Sequence, residues 1–523
     1  MSRRRRSNRE TAEHAEKAFL CDLCVPTFVA RAGLALLIAA AVLPRGAAAH
    51  IGSPDVFLDS TAGPYRVLVT VRPPYTVPGV ADVEILTTSS DVNEVRIVPL
   101  PLSGEGAQFA PVPDVAARST ADPRLFVGHL WMMTAGAWQV RVAITGDRGE
   151  GTLSVPVPTL PQATLGMTVA VRALLSGLML LLCAGFIAII AALVREARLD
   201  PGETPGVAAR RRGRIAAGIA ACVTIAAVFF GNVWWTAEAS SYSHYVYKPL
   251  QATPSLTPDA RLRLDIRDPG WIASRRLDDL VTDHGHLMHL FVLSPGLDRL
   301  WHLHPSEVTT GTFEQRLPQI PQGEYALFAD LVHKTGLSET VTGTLNTPAI
   351  QGAPLSGDDS AWAASEPTVR LPARRSSAQN DQSEGGKAAG SGFSRTLDGG
   401  RMLWIRDATP LVPRRLTMFR FRVEDANAQP ATDLELYMGM PGHAIFVKRD
   451  RRVFAHVHPS GSAPMAALQI AMPSSDPHAG HGAALPSTVS FPYGFPEPGD
   501  YRIFVQVKRS GAVQTGVFDV SVE

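Results

Sequence analysis

The sequence predicts a mainly β protein: three antiparallel β-sandwiches, two transmembrane α-helices and an N-terminal signal segment. Three observations predict it. Short Val- and Ile-rich segments of alternating polarity recur, separated by Gly, Pro and Asp. Two uncharged apolar runs reach the roughly 20 residues that span a bilayer. An ordered set of three segment matches recurs about 150 residues further along the chain, which marks a duplicated domain.

The 523 residues correspond to about three domains at roughly 150 residues each. A formal net charge of +1 gives no electrostatic footprint for a nucleic-acid partner. Of the four cysteines, Cys21 and Cys24 lie in the leader and Cys183 and Cys222 inside apolar runs. The rest of the chain therefore has neither a disulfide framework nor a thiolate metal site, and the lone CxxC lacks a second pair.

Residues 1–49 read as a signal peptide or anchor. A basic start with four consecutive arginines precedes an apolar stretch at 33–43, and Ala47-Ala48-Ala49 supplies the small-residue cleavage pattern before His50. The apolar runs at 173–194 and 215–235 are the expected spans. The intervening 195–214 carries six arginines, so the positive-inside rule places it in the cytoplasm. Trp234 and Trp235 then sit at the opposite interface. Residues 50–162 and 237–523 are expected outside, in the periplasm of a Gram-negative cell.

Residues 50–162 contain "YRVLVTVRPP", "VADVEILTT", "NEVRIVPL", "WQVRVAIT" and "TLSVPVP", the strands of one sandwich. Copy 1 (237–350) and copy 2 (400–523) are the other two. "ARLRLDIRDP" matches "TMFRFRVEDA", and "GEYALFADLVHKTG" matches "GDYRIFVQVKRSG". The polar, Ser/Gly-rich 351–399 reads as a flexible linker.

Between those matches lie "HLFVLSPGLDRLWHLHP" and "HAIFVKRDRRVFAHVHP". In both, the second histidine follows the first by 13 positions and the third follows by 2. Alternation along a strand places His302 and His304 on one face, and likewise His456 and His458. A type II turn on Pro295-Gly296 sets His289 opposite His302, with His304 diagonal. A turn centred on Arg449-Asp450 does the same for His443, His456 and His458. Each hairpin then offers three converging imidazoles, a donor set for copper or, alternatively, zinc. Weaker ligand candidates are Met440, His284, His286, His50 and His129. Met288 is expected on the opposite face. "PHAGH" at 477–481 is a solvated insertion or a metal scavenger. Single buried histidines usually fill a core or bond to backbone.

"MGMPGHAIFVKRDRRVFAHVHPSG" with "PGDYRIFVQVKRSG" resembles the periplasmic domains called YtkA-like, and copy 1 resembles them through "MHLFVLSPGLDRLWHLHP". The resemblance implies Ig-like or cupredoxin-like sandwiches associated with copper and other heavy metals. Copy 2 has Gln506 where copy 1 has Asp330, and it has no histidine equivalent to His333. "AAAH" at 47–50 is similar to the mature start of CopC-type copper carriers, without their Asp-x-His ligand pair.

The expected function is a membrane-anchored periplasmic metal-binding protein for tolerance or delivery. Its expected partners are the lipid bilayer, a metal ion and another metal-handling protein. The alternative is an Ig-like interaction module with structural histidines. No nucleophile motif, Gly-rich phosphate loop or carboxylate placed beside the histidines as a base points to an enzyme.

Overall fold

The computed structural model describes residues 50–52, 55–200, 202–271, 275–364, 392–407, 409–473 and 485–523. The leader and the "PHAGH" stretch lie outside them. The two long helices form one unit, and the three β domains form another.

The helices, Val169–Glu196 and Val207–Tyr242, are long and apolar enough to cross a membrane. At 1.5 Å per residue the first is about 42 Å long, more than the ~30 Å hydrocarbon core requires. The Thr168 hydroxyl caps it by accepting the Val171 amide. The expected loop at 195–214 is shorter than predicted. Helix resumes at Val207, so Arg210, Arg211, Arg212 and Arg214 occupy its first turns. Ala and Arg are strong helix formers, and nothing in "VAARRRGR" stops propagation.

The N-terminal domain is an antiparallel sandwich of a five-stranded and a four-stranded sheet. Every strand quoted above is present, joined by Val56–Ala62 and Leu125–Met132. The inward positions Val67, Val69, Val71, Val83, Ile85, Val140 and Val142 build its core. The domain docks on copy 2. Asp59 donates its amide to Ser460 O at 2.7 Å, and Phe57 enters the core of copy 2. Gly461, at φ +136°, allows this approach, because a Cβ there would collide with the Phe57 carbonyl.

In copy 1 ten strands form one continuous sheet folded over its core. The two halves join where Gln251 pairs with Thr342 in parallel. The sheet includes Ser360–Ala363, within the stretch expected to be linker. Trp362, buried there, supplies the apolar surface that a solvated linker lacks. Phe393–Arg395 likewise opens the sheet of copy 2 within the expected linker. Copy 2 has a four-stranded sheet and a six-stranded one, to which His50–Ile51 of the N-terminal segment adds a parallel edge strand, around a separate core.

The histidine hairpins are His289–Leu293 with Arg299–Leu303, and His443–Lys448 with Val453–Val457. Each strand buries both faces. Met288, Leu290 and Val292 point into the core of copy 1. Phe291, Leu293, Leu297, Leu300 and Phe328 point the other way, against Ile445, Val447, Phe454 and Phe504 of copy 2. Phe328 and Phe454 stack with centroids 4.3 Å apart. At about 1.5–3 kcal/mol for each large apolar side chain fully buried, separating the copies would be costly. The copies are thus not independent modules on a tether.

Candidate metal centre

The hairpin registers differ from expectation by two residues. Leu290 pairs with Leu303 and Phe291 with His302, which brings His304, rather than His302, opposite His289. In copy 2, Ala444 pairs with Val457, so His458 lies opposite His443. The cause is the loop. The positive φ falls on Leu297 (56°) and Arg451 (61°), not on Gly296, and each loop is longer than a two-residue turn. A slip of two preserves the face, so all six histidines still point the same way, toward the other copy.

A second repeated device orients the first histidine of each set. Asp283-His284-Gly285-His286 and Tyr437-Met438-Gly439-Met440 are tight turns whose central residues both have positive φ: 53° and 85° in one, 51° and 78° in the other. The carbonyl of each turn's first residue accepts the ring of a histidine six positions on. His289 Nε2 donates to Asp283 O at 3.0 Å, and His443 Nε2 to Tyr437 O at 3.1 Å. Both Nδ1 atoms are left with a lone pair.

The remaining tautomers follow from their partners. His302 Nδ1 donates to Gln506 Oε1 (3.0 Å), and the Gln506 amide is oriented by its Nε2 donating to Ser360 Oγ (2.8 Å). The lone pair on His302 Nε2 then faces the one on His289 Nδ1 at 3.3 Å. His304 Nδ1 donates to Asp359 Oδ1 at 3.0 Å, leaving its buried Nε2 without a hydrogen-bond partner. In copy 2 the Nδ1 of His443 faces Nε2 of His456 at 3.1 Å, while Nδ1 of His456 lies 3.4 Å from Asp330 Oδ2. His458 Nε2 lies 3.2 Å from Nε2 of His284, and its buried Nδ1 has no hydrogen-bond partner.

Ligand atoms of His289, His302 and His304 lie within 4.8 Å of one another, as do those of His284, His443 and His458. A tetrahedral ion with 2.0–2.1 Å nitrogen bonds needs nitrogens about 3.3 Å apart. The His289–His302 pair already meets that spacing. Imidazoles held by a carboxylate, a carbonyl or an amide are the usual surroundings of metal-bound histidine. The donor set therefore fits a metal ion.

The two groups are not separate. His284 comes from copy 1 and serves the histidines of copy 2. His456 lies with ring centroids 5.5 Å from His289 and 5.7 Å from His302. His286 stacks on His304 at 4.0 Å. Eight imidazoles thus meet at the junction of the copies. Burial holds His289, His302, His443 and His458 well below the ordinary imidazole range, and their histidine neighbours add to the effect. His304 is also lowered by burial, against the pull of Asp359. Neutral rings are the form that binds metal.

Other candidates lie elsewhere. Met440 is buried in the apolar cluster with Ala463, Met465 and Leu468. His129 is exposed and pairs with Asp82 at 2.9 Å. The backbone of His50 pairs with Val453. The reading of the sequence missed Asp359 and Ser360, which sit in the expected linker. Their signal was the acidic pair before a tryptophan in "GDDSAW", a poor composition for a flexible tether.

A model of a family described as Domain of unknown function (DUF8832) matches residues 244–349 and 395–523, one segment in each copy. No curated protein matches the chain. Among solved structures, the chain is similar to a tetra-tandem repeat in the extending region of a large adhesion protein. That match has 8% identity, covers 86% of this chain and 72% of the other, and has a TM-score of 0.16. A protein described as membrane anchored, from Corynebacterium diphtheriae, matches at 8% identity over 90% of this chain and 95% of its own, with a TM-score of 0.14. Dimeric latent PorU from Porphyromonas gingivalis matches at 9% identity over 86% of this chain and 32% of its own, with a TM-score of 0.12. At these scores the likenesses carry no argument.

Proposed function

We propose that this protein binds divalent transition-metal ions, copper in preference to zinc, in the histidine cluster between its two copies. It serves metal tolerance or delivery from a membrane anchor, with the β domains in the periplasm. The observation that carries this reading is the pair His289 Nδ1 and His302 Nε2. They sit 3.3 Å apart while the proton of each ring is committed to a different acceptor. Two lone pairs at that distance repel unless a cation lies between them. The unpartnered Nε2 of His304 supplies a third donor. The arginine-rich connection supports the orientation, and the YtkA-like resemblance supports copper. Nitrogen ligands favour copper over zinc in the Irving–Williams order. We assign no catalytic residue.

Metal analysis and calorimetry on the full chain in detergent test this. About two ions per chain are expected, with copper displacing zinc. Absence of binding would favour the interaction module with structural histidines.

A further inference from the structure

A cavity of about 780 Å³ lies where the three β domains meet. Arg72 of the N-terminal domain lines it, with Tyr247, His289 and Asp330 of copy 1 and His456 and His458 of copy 2. It thus reaches the histidine cluster from one side. At the equivalent position on the other side, Gln506 is fully buried, bonded to His302 and Ser360, and the Tyr437 hydroxyl is tied to Asp358 O. There an amide, not a carboxylate, meets the histidine at the matched position, and the nearby carboxylates Asp359 and Asp358 are engaged with His304 and His286. On the cavity side stands a carboxylate, Asp330, held by the Thr340 hydroxyl at 2.6 Å and facing His456. His458, 2% exposed, lines the same cavity.

We infer that this cavity is the port through which a divalent metal cation reaches and leaves the cluster, with Asp330 as the group that passes the ion to His456. The inference rests on the metal-binding reading above. A carboxylate at the mouth of a low-dielectric cleft concentrates cations and raises their rate of capture. A neutral amide at the same place would not. The N-terminal domain acquires a role here: docked on copy 2, it forms one wall of the port.

Stopped-flow mixing of the full chain with Cu(II) or Zn(II), read by tryptophan fluorescence, measures loading. A chromophoric chelator measures release. Asp330→Asn should slow loading by at least about tenfold, more than it weakens equilibrium affinity. Thr342→Trp and Ser338→Trp, bulky side chains on the cavity wall away from the cluster, should slow both loading and release with unchanged stoichiometry. Wild-type rates in all three variants would overturn the port and leave metal binding standing. Slowing confined to Gln469→Trp would also overturn it, moving access to the smaller cavity beside His284 and Met438. Failure of the wild type to bind either ion would overturn both readings.

Discussion

Copy 1 and copy 2 build the same frame and tune it differently. Both use a tight turn to hold the first histidine and a hairpin to present the other two. Both turn the histidine face toward the other copy. The differences lie at matched positions. Asp330 and Gln506 occupy equivalent places on equivalent strands, and each reaches across to a histidine of the opposite copy. His284 and His286 of copy 1 stand where copy 2 has Met438 and Met440. The matched position thus carries a carboxylate on the cavity wall in copy 1 and a fully buried neutral amide in copy 2. The exchange runs both ways: His284 of copy 1 completes the group around His443 and His458, and Gln506 of copy 2 orients His302 in the group of copy 1.

The largest expected effect concerns pH and the metal-free protein. Three histidines of copy 1 and two of copy 2 have pKa values lowered in the fold. Their unfolded value is about 6.5, so their contribution is complete above that pH. It is lost as pH falls from there toward the folded values, because the unfolded chain binds the extra protons. Each can cost about 1.4 kcal/mol per pH unit in that window. Urea unfolding of the metal-free chain should show a steep drop below about pH 6.5. Bound metal should flatten the drop. A metal-free chain equally stable at pH 5 and pH 7 would contradict the burial described here.

Next comes a test of whether the copies act as one. With two tethered modules, replacing His456 and His458 by Ala would remove one site and spare the other. Here His456 abuts His289 and His302, and His458 meets His284 of copy 1. The double variant should therefore weaken both binding steps in calorimetry, each by at least about tenfold, the scale at which even an orienting partner matters. A first site of unchanged affinity would restore the independent arrangement.

A smaller change should separate the ends. Gln506→Leu leaves the buried Nδ1–H of His302 without its Gln506 acceptor and frees the ring to change tautomer. Metal affinity should fall about 10- to 100-fold at the His289–His302–His304 group, while the group around His443 changes less. Competition titration against a chelator of known affinity reads both steps.

The faces were legible and the partners were not. Alternation put His302 and His304 on one face, and a slip of two, unlike a slip of one, keeps His289 with them, so the error in the turn did no harm to the grouping. It did misassign which histidine lies directly opposite. The meeting of the copies had a signal: "HLFVL" and "HAIFV" are continuous apolar runs, the mark of a strand buried on both faces. Read as one half of a lone sandwich, they left Phe291 and Ile445 with no place to go. Cross-copy contacts such as His302 with Gln506, 204 residues apart in the chain, follow from docking geometry that no local pattern encodes.

The last and smallest effect lies outside the cluster and again contrasts the copies. His333 and Arg509 occupy matched positions, as do Asp279 and Asp433. Arg509 bonds Asp433 at 2.9 Å and Asp398 at 2.6 Å, a cation at any physiological pH. His333 holds Asp279 at 2.7 Å and Glu339 at 3.1 Å, and Glu339 is also bound by Arg275 and the Tyr247 hydroxyl. Burial opposes the charge on His333, but the two carboxylates outweigh it and raise its pKa. The sign is therefore opposite to that of the cluster. This stabilisation is complete below about pH 6.5 and is lost as pH rises through the raised folded value, at about 1.4 kcal/mol per unit of difference. The five lowered histidines titrate on the acid side of 6.5 and His333 on the alkaline side, so one pH series resolves them. Above neutrality the wild type should lose a decrement of urea stability, while His333→Gln starts lower and stays flat there. An identical alkaline slope in both proteins would show that His333 is neutral in the fold and that the likeness to Arg509 is one of position only.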